Sequence, residues 1–351
     1  MRNFGLDLLR CISIWFVIIE HAGIEVTGIS RLKIGTIGVE IFFVISGFLI
    51  GGILLRDIDK GNPLFITLKN FWIRRWFRIL PLYYGVLIFQ YIFIDNTVGK
   101  NIIYYFLFLQ NNFYGVSFLR VSWSLVIEEW FYIFTPIFLF FVIKWFKKPN
   151  WIYLSIIGFF IVEITLRALY VSFSNVPYKG IIGSFPFRFD ALFVGVLMAF
   201  AYKQGSNLFK KPQRITLAVI GLSLIVFYIS AFKHFSQPQD LIDKIYFFRT
   251  IGLFVLPFGF SLLLPFFHEL AFNSESIINK LILKFVTQTS LLTYAIYLIH
   301  MQIYSLNILE LSNSDAINFL IKVLTIYIVA ALLYYFYEKP FLKLRERFVN
   351  Q

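Results

Sequence analysis

The strongest constraint on this chain is that apolar stretches of about 20 residues follow one another along almost its whole length, separated by short polar connections. Such stretches span a bilayer when helical, and inside lipid each segment must satisfy its own backbone polar groups. Helix is therefore the expected element throughout. Apolar runs over 6–26, 36–55, 79–95, 122–143, 151–173, 184–202, 215–233, 245–267, 290–309 and 317–337 predict an all-α integral membrane protein, a single bundle of about ten transmembrane helices. A shorter run, Ile102–Leu109, is too brief to cross and predicts an interfacial or re-entrant segment. No repeat, low-complexity tract or linker divides the chain, so residues 1–351 read as one membrane domain with no fused soluble domain. The first run carries Asp7, Arg10, Glu20 and His21, which the core of a signal peptide would not hold, and it is expected to remain as a helix.

With 59% hydrophobic and 21% aromatic residues, the chain leaves no soluble domain of useful size. Its net charge of +13 would suit nucleic acid, but the basic residues sit in the short connections, as juxtamembrane charge does. No nucleic-acid partner is expected. With the N-terminus cytoplasmic, one face collects Arg2, then Arg56, Lys60, Lys69, Arg74, Arg75 and Arg78, then Lys144, Lys147 and Lys148, then Lys203, Lys210, Lys211 and Arg214, then Lys280 and Lys284, and the tail Lys339, Lys343, Arg345 and Arg347. The other face holds only Arg31, Lys33, Lys100, Arg120, Lys179, Lys233 and Lys244. The positive-inside rule then places both termini in the cytoplasm. The single cysteine, Cys11, excludes an intrachain disulfide, and no His-x-x-x-His or carboxylate-rich set suggests a metal.

Charges inside a membrane cost a few kcal/mol each and tend to mark a pathway or a site. Arg10 and His21 lie eleven residues apart, close to three helical turns, on one face at levels about 16 Å apart. Arg75 and Arg78, three apart on an expected short interfacial helix, can turn toward one ligand, and arginine forks suit phosphate oxygens. Glu128 and Glu129 sit in SWSLVIEEWFYIFTP; adjacent positions diverge by about 100°, so one should face a site and the other a neighbouring helix or water. Arg188 and Asp190, in FPFRFDALFVG, suggest a buried charge pair or network. Each also fits an ordinary structural role: Arg10 paired with Asp7, His21 and His300 as packed histidines, Arg75 and Arg78 as interface anchors beside Trp72 and Trp76, Arg188 and Asp190 as an interhelical salt bridge. Depth counting sorts the charges into two levels, with Arg10, Arg75 and Arg78 at the inner edge and His21, Glu128, Arg188 and Asp190 in the outer part.

The spacing of Arg10 to His21, Arg75-x-x-Arg78 followed by LPLYY, SWSLVIEEWFY, FRFDALFVG, YAIYLIHM and the tail FYEKPFLKLRER together resemble the acyltransferase family 3 proteins of bacteria, over Gly5 to about Arg347. The resemblance implies a membrane O-acyltransferase of about ten helices in the bacterial cytoplasmic (inner) membrane. It implies a cytoplasmic acyl-CoA donor, most often acetyl-CoA, and a surface or exported carbohydrate, or lipid-linked glycan, as acceptor, with polysaccharide export proteins as candidate partners beside membrane lipid. On that pattern His21 corresponds to the essential histidine, Arg10 to its partner arginine, Arg75 and Arg78 to the paired arginines, and Glu128 to the glutamate of the Trp-Ser-Leu-x-x-Glu motif. Some relatives carry a fused extracytoplasmic hydrolase-like domain, for which this chain has no room, so direct transfer to the acceptor or to a separate partner is expected.

A hydroxyl is a weak nucleophile until a base takes its proton, and an imidazole suits that task near neutral pH. His21 is the expected base, with Glu128 orienting its ring. Arg75 and Arg78 are expected to hold CoA phosphates, and Arg10 either to extend that grip or to stabilise charge on the thioester oxygen. The alternative from another class is a secondary transporter or flippase, in which His21, Glu128, Arg188 and Asp190 would form a proton or substrate path.

Overall fold

The computed structural model describes residues 2–22, 33–113, 115–146, 148–174, 176–235, 241–273 and 275–349, and among them it contains helices and turns but no strand. The end of the first apolar run, Arg31 and Lys147 lie outside the described residues. The main helices are α1 (Phe4–His21), α2 (Ile34–Asp59), α3 (Leu64–Phe93), α4 (Trp123–Trp145), α5 (Pro149–Phe173), α6 (Asp190–Lys203), α7 (Lys211–Phe235), α8 (Gly252–His268), α9 (Ile277–Tyr304), α10 (Asp315–Leu333) and α11 (Lys339–Val349). Each apolar run coincides with one of α1 to α10. Among the described residues, seven helical segments are long and apolar enough to cross a membrane: α2, α3, α4 with the turn before it, α5, α7, α9, and α10 with its continuation to Val349. The other three depart from the expected length for local reasons. α1 carries three charged side chains in 18 residues, the turn Phe185–Phe187 with its proline delays α6 until Asp190, and α8 starts only after two short turns.

α2 packs against α1, α6 and α8, and its contact with α6 is backbone on backbone. A Cβ at Gly47 would sit 1.8 Å from the carbonyl oxygen of Leu192, and one at Gly195 would sit 2.1 Å from that of Val44. Small residues at such crossings let two helices approach where the hydrophobic effect offers no drive between them.

The stretch expected as a short interfacial helix carrying Arg75 and Arg78 is instead the first half of the 30-residue α3, which runs on through Pro81. Pro81 gives no amide hydrogen to the helix, and its own carbonyl accepts a hydrogen bond from Tyr337 at 3.2 Å. Between α3 and α4 the chain makes only short turns, at Gly99–Asn101, Ile102–Phe106 and Gln110–Phe113. Their carbonyls are satisfied by side chains of the flanking helices: Tyr83 donates to Tyr105 O, Tyr84 to Phe106 O and Trp130 to Phe108 O, at 2.9–3.0 Å. Irregular backbone survives near lipid when neighbouring protein takes up its polar groups. After α10, a π-helical turn over Tyr334–Glu338 leads into α11, whose Phe348 ring lies 5.4 Å from that of Phe77 on α3.

Candidate functional site

Two cavities meet inside the bundle, at opposite ends of α1. The first, of about 340 Å³, is lined by Arg10 of α1, Arg74, Arg75 and Arg78 of α3, Ser124, Glu128 and Tyr132 of α4, Ser290, Tyr294 and Tyr297 of α9, and Arg345 of α11. The helix periods explain the grouping: Ser124, Glu128 and Tyr132 are four apart, and Ser290, Thr293 and Tyr297 follow at three and four, so each set shares one helix face. Its cations differ in their partners. Arg74 is held by Asp57 at 2.9 Å. Asp7 is taken by Arg2 at 2.9 Å and by the Ser290 hydroxyl at 2.6 Å, leaving Arg10 a loose 3.8 Å approach to the same carboxylate. Arg75 lies over the ring of Tyr132, 5.4 Å from its centre, and the Tyr132 hydroxyl donates to Glu128. Among the described residues Arg75, Arg78 and Arg345 have no carboxylate within ion-pair distance.

The second cavity, of about 500 Å³, is lined by Val17, Glu20 and His21 of α1, by Lys33, Gly35 and Thr36 around the start of α2, by Asn111, Arg120 and Trp123, by Tyr178 and Lys179, and by Tyr297 and Met301 of α9. Val39 and Tyr297 belong to both walls, so the two cavities adjoin there. The Tyr297 hydroxyl shares a hydrogen bond with Ser124 at 2.7 Å and donates to Val121 O at 2.9 Å, which fixes the ring at this boundary.

The hydrogen bonds assign the protons of His21. His300, fully buried, has Nδ1 at 2.7 Å from Tyr297 O and 3.3 Å from Ile296 O. Carbonyls only accept, so Nδ1 of His300 carries the hydrogen and its Nε2 carries a lone pair. That Nε2 is 3.4 Å from Nδ1 of His21, which also lies 2.9 Å from Val17 O. Nδ1 of His21 thus faces two acceptors and holds the hydrogen. Nε2, on a ring that lines the cavity, is left as the basic nitrogen.

One expectation is corrected by these positions, the placing of Glu128 beside His21. Glu128 does not sit beside His21: it shares the arginine cavity, and His300 with the Val17 carbonyl does the orienting instead. The start of α4 at Trp123 lies within one residue of the expected one, and it is the helix face shared by Ser124, Glu128 and Tyr132 that turns Glu128 to the arginines. Arg10 faces the arginine cavity, three turns from His21, so it stands with Arg75 and Arg78 and not beside the imidazole. Arg188 and Asp190 do not pair with each other. Arg188 binds Glu40 of α2 and Asp190 binds Arg167 of α5 at 2.9 Å, with Glu163 buried alongside, which makes them an interhelical cluster. Glu129 is buried outside both cavities, as divergence of adjacent helix positions requires. Among the described residues no three His, Cys, Asp or Glu side chains come together as a metal set.

Sequence reasoning passed over Arg345, Tyr132, Ser124 and Tyr297, and treated His300 as a packing residue. The three- and four-residue spacing from Ser290 to His300 was the available signal, since a polar face that long on a membrane helix has to meet something polar.

The helical bundle thus joins an arginine-lined cavity to one lined by His21. Residues 3–336 match the family described as an acyltransferase domain, the acyltransferase 3 family, and the chain belongs to it. Among curated relatives it is 30% identical to the peptidoglycan O-acetyltransferase OatA of Listeria monocytogenes, over 97% of this chain and 56% of that protein. It is 30% identical to a putative O-acetyltransferase of Staphylococcus aureus (strain COL), over 72% and 44%, and 27% identical to the putative peptidoglycan O-acetyltransferase YrhL of Bacillus subtilis, over 96% and 54%. The chain thus spans about half the length of these relatives. No solved structure matches it.

Proposed function

We propose that this chain is a membrane O-acyltransferase that moves an acyl group, acetyl above all, from cytoplasmic acyl-CoA to a hydroxyl of a cell-surface or exported carbohydrate. The observation that carries this reading is the shared wall at Tyr297, which puts a cavity in which Arg75, Arg78 and Arg345 have no ion-pair partner among the described residues next to a cavity whose histidine presents a basic Nε2. The relatives' names support an O-acetyl transfer to peptidoglycan or a similar glycan. In this reading all ten of α1 to α10 cross the inner membrane, as one membrane unit with both termini cytoplasmic, and the arginine cavity faces the cytoplasm.

Arg75, Arg78, Arg10 and Arg345 then hold the donor's phosphates, with the flexible arm extending past Tyr297. Nε2 of His21 takes the proton of the acceptor hydroxyl as its oxygen attacks the thioester carbonyl; the carbon–sulfur bond breaks, and the imidazolium returns the proton to the departing thiolate. The positive imidazolium is stabilised because its Nδ1 hydrogen keeps both acceptors, Val17 O and Nε2 of His300.

The test uses the whole chain in lipid nanodiscs with radiolabelled acetyl-CoA. His21→Ala should lower transfer by about 10²- to 10⁴-fold, the usual loss for a general base, while acetyl-CoA binding stays within about twofold of wild type. Wild-type transfer by His21→Ala would end the catalytic assignment, and the transporter reading would then be the one to pursue.

A further inference from the structure

The cavity around His21 holds more positive charge than proton transfer needs. Lys33 precedes α2, Arg120 precedes α4, and Lys179 belongs to the short helix Tyr178–Ile182, so three segments distant in sequence each bring one cation to the wall. Among the described residues Glu20 is the only acidic one in the lining, and its carboxylate already accepts the backbone N–H of Gly35. Among the described residues none of the three cations has a carboxylate within ion-pair distance. The Lys33 ammonium instead lies 5.8 Å from the centre of the Phe232 ring, and burial, with Lys179 as the next cause, pushes its pKa below the usual lysine range. Cations that converge without partners repel one another and lose hydration, a cost that an anion entering between them removes.

We propose that the His21 cavity recognises an anionic acceptor: the saccharide whose hydroxyl meets His21 carries a carboxylate or phosphate, which Lys33, Lys179 and Arg120 hold. A volume of about 500 Å³ accommodates one or two sugar rings, and Trp123 offers an apolar face to them. The three cations fix the acceptor's register by charge, which leaves the histidine's nitrogen free for the proton. This inference rests on the acyl-transfer reading, but its binding consequence can be measured without any transfer.

The experiment measures binding of three probes to the full chain in nanodiscs of neutral lipid: N,N′-diacetylchitobiose, its O-carboxymethyl derivative and its 1-phosphate. Wild type should bind at least one anionic probe about tenfold or more tightly than the neutral one, the worth of one charge-assisted hydrogen bond. Preference for the carboxymethyl derivative points to an acidic sugar, and preference for the phosphate to a lipid-linked one. Lys33→Gln, Lys179→Gln and Arg120→Gln should each cut that preference at least threefold while leaving neutral-probe and acetyl-CoA binding unchanged. Equal affinity for all three probes, or a preference that survives all three substitutions, overturns the proposal. So does loss of the preference when anionic lipid is added, which would assign the cations to headgroups. If the charge preference holds while transfer to every probe is absent, the anion site stands and the acyl-transfer reading is what has failed.

Discussion

Arginine enters this bundle in two ways, and the two regions that hold it behave differently. Beside α2, Arg188 is paired with Glu40 and Arg167 with Asp190, and all four side chains are at most 3% exposed. In the cavity between α3, α4, α9 and α11, Arg75, Arg78 and Arg345 face open space, and the carboxylate of Glu128, which lines it with them, accepts from Tyr132. A charge buried with its partner joins helices; a charge left facing a cavity is available to a ligand. The pairing separates the two roles inside one bundle.

The largest effect expected from this contrast is on stability. Asp190→Asn leaves Arg167 buried without its carboxylate, and breaking a buried pair from one side costs about 3–5 kcal/mol. Thermal unfolding in detergent should show a sharply lowered midpoint or no folded protein. Replacing Arg167 with Met and Asp190 with Leu together should recover much of the loss, since neither charge is then stranded. If Asp190→Asn melts with wild type, the cluster does not hold the helices together.

The opposite outcome is expected in the cavity. Arg75→Ala and Arg78→Ala should weaken acyl-CoA binding by about tenfold or more with the unfolding midpoint nearly unchanged, because no internal partner is stranded. Lysine should restore only part of the affinity, lacking the two-pronged fork. Arg345→Ala should act in the same direction. Unaltered donor affinity in both alanine variants of α3, or a stability loss as large as that of Asp190→Asn, would erase the contrast between the two regions.

How much of this was legible beforehand follows from the range of each signal. Apolar period and length revealed the helices and their order, since each run is a local property of the chain. The starts of α6 and α8 were not, because Pro186 and the short turns before Gly252 set them. Arg10, Arg75 and Arg78 could be grouped because depth counting put them at one level, with Arg75 and Arg78 at helical spacing, and they do line one cavity. The partners of Arg188 and Asp190 were hidden: Glu40 lies on α2, far away in sequence, and meets Arg188 where α2 and α6 approach closely at Gly47 and Gly195, while Arg167 lies on α5, across the turns that precede α6. His300 was hidden for a similar reason, since its part depends on two backbone carbonyls and on a ring 279 residues away.

The smallest expected effect lies where the two cavities meet, and it sharpens the comparison by asking what keeps the arginines apart from His21. Tyr297 belongs to both walls, and its hydroxyl is anchored to Ser124 and to the carbonyl of Val121. A donor whose phosphates sit on the arginines can deliver its thioester to His21 only if the arm passes this ring. Tyr297→Phe keeps the ring but removes both anchors, each worth about 1 kcal/mol net. The ring then moves aside more readily, so water as well as the acceptor meets the thioester. Acetyl-CoA hydrolysis without acceptor should rise by about fivefold, the rate equivalent of roughly one such hydrogen bond, while donor affinity stays put. Ser124→Ala should give a smaller rise, because the Val121 anchor remains. A Tyr297→Phe protein whose hydrolysis and transfer both match wild type would mean that the arm takes another route, and the two cavities would then have to be treated as independent.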